Sequence, residues 1–332
     1  MTPVPLDLPL RPPEAAEVAS LVFELAERKP LGDEIRSRVA ARAAALKLES
    51  IAPWFGSLAR DPLHHSTYYL AVDVAHGPPQ LLHMAPAAAP TSSVLRKPLL
   101  IGRLRSATGR EMVVNAVPFS PADTANLDRF LSIDGAFLPR PHGSRAALVA
   151  DASAEAFEAF RAVWKRTRKN VASVTGPFHT AVWSAIRAGW REGYSAMLEL
   201  DAANEASFAA ARDAIRDCPR YSRFLICAAP PDVIRLSSAI RQARSAAGIS
   251  PSFDLGISLA ASPTAPDALA ACLQALRDAG HPAQFAAVRP EPARISALAS
   301  VARQFNCVLG IRAADLAEED PRRFARETAG RF

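Results

Sequence analysis

Phe253–Val288 reads FDLGISLAASPTAPDALAACLQALRDAGHPAQFAAV, and this stretch decides the fold. Phe253, Leu255, Ile257 and Leu259 alternate with smaller or polar residues, the period of a strand. Beyond Ser262–Pro266, Leu269, Cys272, Leu273 and Leu276 recur at the spacing of one buried helix stripe. Gly280 ends that helix, where a left-handed cap is expected, and Gln284–Val288 begins the next strand. This is one complete strand–helix–strand unit.

The same form repeats on either side. Expected strands lie at Met112–Phe119, Ala146–Ala150, Val171–Thr175, Ser195–Leu200, Phe224–Ala228, Phe253–Leu259, Gln284–Val288 and Cys307–Ile311, with a last helix near Pro321–Thr328. Eight such units predict an α/β protein built on a (β/α)8 TIM-type barrel over residues 106–332. An open doubly wound sheet would carry a glycine-rich phosphate loop after an early strand, whereas Phe119-Ser120-Pro121 has no glycine. Residues 1–105 read differently. Two helices, Ala15–Arg28 and Asp33–Leu48, precede strand-like runs at Thr67–Val74, Gln80–Met84 and Leu99–Leu104, with a small-residue linker over Pro86–Ser93. They form a small α+β N-terminal module, a cap or an oligomer contact.

Composition bounds the function. The chain has 332 residues, 49% of them hydrophobic, which supports a real core. It holds no apolar run long enough for a membrane span and no secretory leader pattern, so a cytoplasmic location is the default. Cys218, Cys227, Cys272 and Cys307 form no CxxC pair and read as buried free thiols. The formal net charge is +6, yet Arg161, Lys165, Arg168 and Lys169 fall on one helix face without interleaved stacking aromatics. That pattern is a solvated outer face, so neither nucleic acid nor membrane is expected as a partner; a homo-oligomer stays open.

Barrel active sites lie at the C-terminal ends of the strands. Alternation then turns Glu199, Asp201, Ser258 and Arg312 towards the mouth. Arg289 ends the seventh expected strand, Asn115 lies on the first, and His179 opens the third helix. Glu199 can act as a general base beside its neighbour Asp201, with His179 as the partner acid or a metal ligand. Arg289 and Arg312 can clamp an anion, with Asn115 and Ser258 as hydrogen-bonding groups. The same charges can instead close a rim ion pair between Arg312 and Glu199 or Asp201, with Asp201 capping the next helix. No HExxH, DxD or comparable ligand spacing appears in the barrel, so no metal residue is assigned; a divalent metal stays open as the only cofactor.

Arg191-Glu192-Gly193-Tyr194-Ser195-Ala196 and Ser262-Pro263-Thr264-Ala265-Pro266 resemble the corresponding stretches of the tagaturonate/fructuronate epimerase family of metal-dependent sugar-acid barrels. In that family acidic and histidine metal ligands follow the first motif; here only Glu199 matches, and Gly256, Ser258 and Ala260 replace the acidic positions of the sixth strand. The resemblance implies a divergent sugar-acid isomerase or epimerase that acts on a small anionic carbohydrate by proton transfer. The alternative is a catalytically degenerate barrel that serves as a binding or scaffold protein. The enzyme reading requires Glu199, Arg289 and Arg312 to converge in one pocket.

Overall fold

The computed structural model describes residues 12–27, 29–88, 99–105, 109–119, 124–139, 146–167, 172–201, 205–217, 222–289 and 291–312. The expected helix at Pro321–Thr328 lies outside them, as does Cys218. The chain forms two compact units. The first takes Met1–Phe137 and Ala185–Arg191; the second takes Leu138–Ser184 and Glu192–Phe332. Among the described residues no helix is long and apolar enough to cross a membrane.

The first unit is a sheet covered by helices. Its strands are β1 (Ile51–Pro53), β2 (Ala59–Arg60), β3 (Tyr68–Val74), β4 (Gln80–Pro86), β5 (Leu99–Arg105) and β6 (Glu111–Pro118). They pair antiparallel in the order β1-β3-β4-β6-β5, with β2 beside β3. Val18, Val22 and Phe23 of α1 (Pro12–Ala26) and Ile35 and Val39 of α2 (Asp33–Ala43) share one core with Tyr68, Leu70, Val72, Leu82 and Met84. The helical stripe and the strand alternation therefore meet on one sheet face. α3 (Thr124–Ile133) follows β6.

β6 corrects the sequence reading. Residues 112–119 were expected as the first barrel strand, but residues 111–118 lie between β4 and β5, in register from Gln80↔Pro118 to Pro86↔Met112. The physical reason is in its pattern. Met112, Val114 and Ala116 point into the helix-covered core, while Val113 and Asn115 on the other face are only half-buried. Such alternation suits an antiparallel strand, whereas a parallel strand is covered on both faces.

Among the described residues, the second unit is a closed parallel barrel of seven strands, not eight. They are β7 (Ala146–Asp151), β8 (Ala172–Thr175), β9 (Ser195–Asp201), β10 (Arg223–Cys227), β11 (Asp254–Pro263), β12 (Phe285–Arg289) and β13 (Val308–Arg312). Each pairs with the next in the chain, and β13 closes on β7 through Leu309↔Ala146 to Arg312↔Val149. The helices between them are α4 (Ala154–Thr167), α5 (Phe178–Ala188), α6 (Glu205–Asp217), α7 (Pro230–Ala246), α8 (Pro266–Asp278) and α9 (Ile295–Gln304). Phe157 and Phe160 of α4 are fully buried, and Tyr194 packs edge-on against Phe157 at 5.1 Å, so this aromatic serves the core.

The registers stack the interior in layers. At the bottom, Arg223 Nε donates to Asp254 Oδ2 at 2.8 Å and its Nη1 to Ser195 Oγ at 3.1 Å. Above them Ala147, Val149, Met197, Leu225, Phe285 and Ala287 form an apolar plug, with Val308 against it. Gly310 belongs to this layer because nothing larger fits: a Cβ there would lie 2.4 Å from Phe285 Cζ. The next residues on the same faces form a polar layer at the strands' C-terminal ends.

Candidate functional site

That polar layer comes from strand alternation alone. Continuing the inward faces upward gives Asp151 on β7, Thr175 on β8, Glu199 on β9, Cys227 on β10, Ser258 on β11, Arg289 on β12 and Arg312 on β13, consistent with the pairings between neighbouring strands. The apolar plug beneath closes the barrel to water, so these side chains open only towards the mouth.

Arg312 organises the layer. Its Nη2 forms an ion pair with Glu199 Oε1 and donates to Ser258 Oγ at 3.2 Å. Cys227 Sγ donates to the same Glu199 oxygen at 3.0 Å. The two charged side chains are 24% and 27% exposed, enough burial to set the pair apart from a solvated surface bridge. Burial pulls the Arg312 guanidinium down, but Glu199, Cys227 and Asp151 outweigh it and hold it above its ordinary value. Burial, with the Glu199 carboxylate beside it, pushes the Cys227 thiol up to about 12 despite Ser258 and Arg312, so this sulfur stays protonated at neutral pH. Beside them, Thr175 Oγ1 donates to Asp151 Oδ1 at 3.1 Å.

A cavity of about 800 Å³ opens over β9, β10 and β11, lined by Asp201, Cys227, Ser258, Thr264 and Arg312 among apolar groups. An irregularity in β11 between Leu259 and Pro263 shapes one wall. Beyond it Thr264 is fixed by its N–H to the Arg289 carbonyl at 2.8 Å and its Oγ1 to the Leu259 carbonyl at 3.0 Å. The helices behind this wall, α7 and α8, are preceded by Ala229 and Ala265 as N-caps, neither of which makes a side-chain cap hydrogen bond.

The expected site residues divide. Glu199, Asp201, Ser258 and Arg312 gather at the strand ends; Asp201 lines the cavity, while Glu199 reaches it only through Cys227 and Arg312. Of the two expected anion clamps, only Arg312 lines the cavity. Arg289 ends β12 exposed and outside the lining. His179 sits in α5, its ring edge-on to Trp183 at 5.4 Å and its pKa lowered by burial, also outside the lining. Asn115 is not a barrel residue: on β6 its Nδ2 lies 3.4 Å from His83 Nδ1, within the first unit. Asp151, Thr175 and Cys227 were missed. The expected second strand ends at Ala150, one residue short of Asp151, and Cys227, whose type reads as a buried thiol, sits at an inward position of β10.

Among the described residues, the donors at the strand ends do not form a divalent-metal site: no three His, Cys, Asp or Glu side chains gather as one. The one carboxylate matching the expected ligand set already faces a guanidinium, which would repel a dication placed against it.

No family model matches the chain, and no curated protein sequence does either. Among solved structures, the crystal structure of fructuronate-tagaturonate epimerase from Cohnella laeviribosi with two glycerols is similar at a TM-score of 0.51 and 15% identity, covering 90% of this chain and 74% of that one. The same enzyme with one glycerol gives 0.49 at 14% identity, over 91% and 74%. The carboxyl transferase domain of Rhizobium etli pyruvate carboxylase gives only 0.31 at 13% identity, over 57% and 46%. The resemblance carried by residues 191–196 and 262–266 thus has a counterpart in three dimensions, and at these identities it is a resemblance of fold.

Proposed function

We propose that this chain is an isomerase- or epimerase-like barrel that binds a small anionic carbohydrate and moves a proton on it, with Arg312 and Asp201 carrying the site; the expected convergence of Glu199, Arg289 and Arg312 is not met, because Arg289 stands outside the cavity and Glu199 behind it. The observation that carries the reading is the cavity at the strand ends, where Arg312, Ser258, Thr264 and Asp201 face one space. Arg312 takes the anionic end, as a planar guanidinium does for a carboxylate. Asp201 removes a proton from a carbon next to a carbonyl, leaving an enolate, and returns it to another face or a neighbouring carbon. Glu199 fixes Arg312 and stands one hydrogen bond behind the cavity as the second carboxylate.

Two features favour a carboxylate over a phosphate. Pro230 and Pro231 remove two amide donors from the start of α7, and the next amide, of Asp232, is already bonded to the Ala229 carbonyl at 3.1 Å. No backbone nest remains there for a phosphate. Asp151, Glu199 and Asp201 also outnumber Arg312, so a monoanion rich in hydroxyl donors suits the cup better than a dianion.

The test is a thermal-shift panel of hexuronates, aldonates and sugar phosphates, followed by proton NMR of each stabilising ligand in D2O. Sugar acids should stabilise the protein, by about 2.7 kcal/mol at a hundred times Kd, and sugar phosphates should not. Stabilisation by none of the sugar acids overturns the proposal. The alternative, a barrel that binds without turnover, is favoured by the two donors already committed to Glu199 Oε1. It predicts ligand stabilisation with no deuterium entering the sugar.

A further inference from the structure

Among the described residues, Arg312 is the single cationic side chain lining the cavity, and its Nη2 is engaged by Glu199 from within the protein. A carboxylate ligand seeks the same guanidinium. Glu199 is therefore chemically equivalent to the ligand's anionic end, and the two compete. We propose that Glu199 is an internal latch on the anion site: the incoming carboxylate takes Arg312 over from Glu199, and only then is the Glu199 carboxylate released. This rests on the reading that the cavity binds a sugar carboxylate.

Two contacts, and the small number of Glu199's partners, suit Arg312 and Glu199 to such an exchange. Arg312 Nη2 keeps its bond to Ser258 Oγ at 3.2 Å, which holds the guanidinium at the cavity wall while its anionic partner changes. Cys227 Sγ donates to Glu199 Oε1 at 3.0 Å, so the carboxylate retains a donor after Arg312 has turned to the ligand. Among the described residues, Cys227 and Arg312 are the side chains that engage Glu199, so its release disrupts no wider network. A site masked for most of the time binds with an affinity reduced by the fraction of time it is open. Removing the mask therefore strengthens binding, although it deletes a side chain of the site.

Isothermal titration of a hexuronate and its uncharged parent hexose, against wild type, Glu199→Gln and Cys227→Ala, tests the latch. Glu199→Gln keeps the shape but not the charge, and it should bind the hexuronate about tenfold tighter or more, the scale of one charge-assisted hydrogen bond. Cys227→Ala leaves Glu199 with one donor fewer, which strengthens its hold on Arg312, so hexuronate affinity should fall. The uncharged hexose carries nothing that competes with Glu199 for Arg312, so Glu199→Gln should not tighten its binding as it does the hexuronate's. Equal hexuronate affinity in wild type and folded Glu199→Gln overturns the latch and leaves the sugar-acid site standing. If no variant binds the hexuronate while all remain folded, the sugar-acid reading falls and the latch with it. Should Glu199→Gln fail to fold, Cys227→Ala decides alone, because unchanged or tighter hexuronate binding there overturns the latch.

Discussion

Cys227 and Cys307 are both pushed up to about 12 by burial, Cys227 with Glu199 adding to it. An unfolded thiol titrates near 9, so the folded chain holds these two protons more tightly than the unfolded one. Their contribution to stability is fully present below about 9 and is lost as pH rises towards about 12. The melting temperature of wild type should therefore fall more steeply between pH 9 and 11 than that of the Cys227→Ala/Cys307→Ala variant, as read by scanning fluorimetry across that range. Gly310 gives a packing test at the same scale. A Cβ there meets Phe285 Cζ at 2.4 Å and Val149 Cγ2 at 2.9 Å, so Gly310→Ala should cost about 1–3 kcal/mol in urea unfolding. Adding Phe285→Leu should recover part of that loss. Parity made Glu199, Asp201, Ser258 and Arg312 legible, because alternation alone aims a strand's side chains. It could not show that Glu199 lies behind Cys227 rather than on the cavity wall, since side-chain reach is decided by packing.

Among elements, the segment following α5 has the sharpest packing. Arg191 pairs with Asp134, donates to the Gly56 carbonyl at 2.9 Å and lies over the Phe137 ring at 4.5 Å. Beside it the backbones of Gly56 and Gly189 meet so closely that a Cβ on Gly56 would fall 2.3 Å from Gly189 Cα, and Gly189 has φ +61°, open to glycine at little cost. Arg191→Met leaves Asp134 without its cation and should destabilise the chain by about 3 kcal/mol, measurable as a lowered urea midpoint with an unchanged slope. Strands β7 to β12 were legible as apolar runs followed by helices, and β13 as an apolar run. β6 misled because it too is an apolar run followed by a helix, α3. Its partners β4 and β5 were read separately as strands, and the half-buried Val113 and Asn115 were the sign that its second face is not a barrel face.

At the scale of the whole molecule, the chain visits its first unit twice, leaving at Phe137 and returning for Ala185–Arg191. Residues 138–332 alone would carry Ile186 and Trp190, 0% and 1% exposed in the full chain, without the rest of their unit. That fragment should be far less soluble than the full chain, and adding the separately expressed 1–137 fragment should raise its soluble yield; equal solubility without it would refute the point. The barrel class was legible because it needs only a repeated local pattern. The return of seven residues to another unit was not, because nothing local in Ala185–Arg191 names Gly56 or Asp134 as its partners.

The same double visit sets an order on synthesis. The first unit cannot be completed when Phe137 leaves the ribosome, since Arg191 and its neighbours have yet to be made. At translation speeds of about 5–20 residues per second, its sheet and helices wait several seconds for their last segment. The incomplete unit is then the nascent chain's exposed species, and a pause in translation between those two points would prolong it.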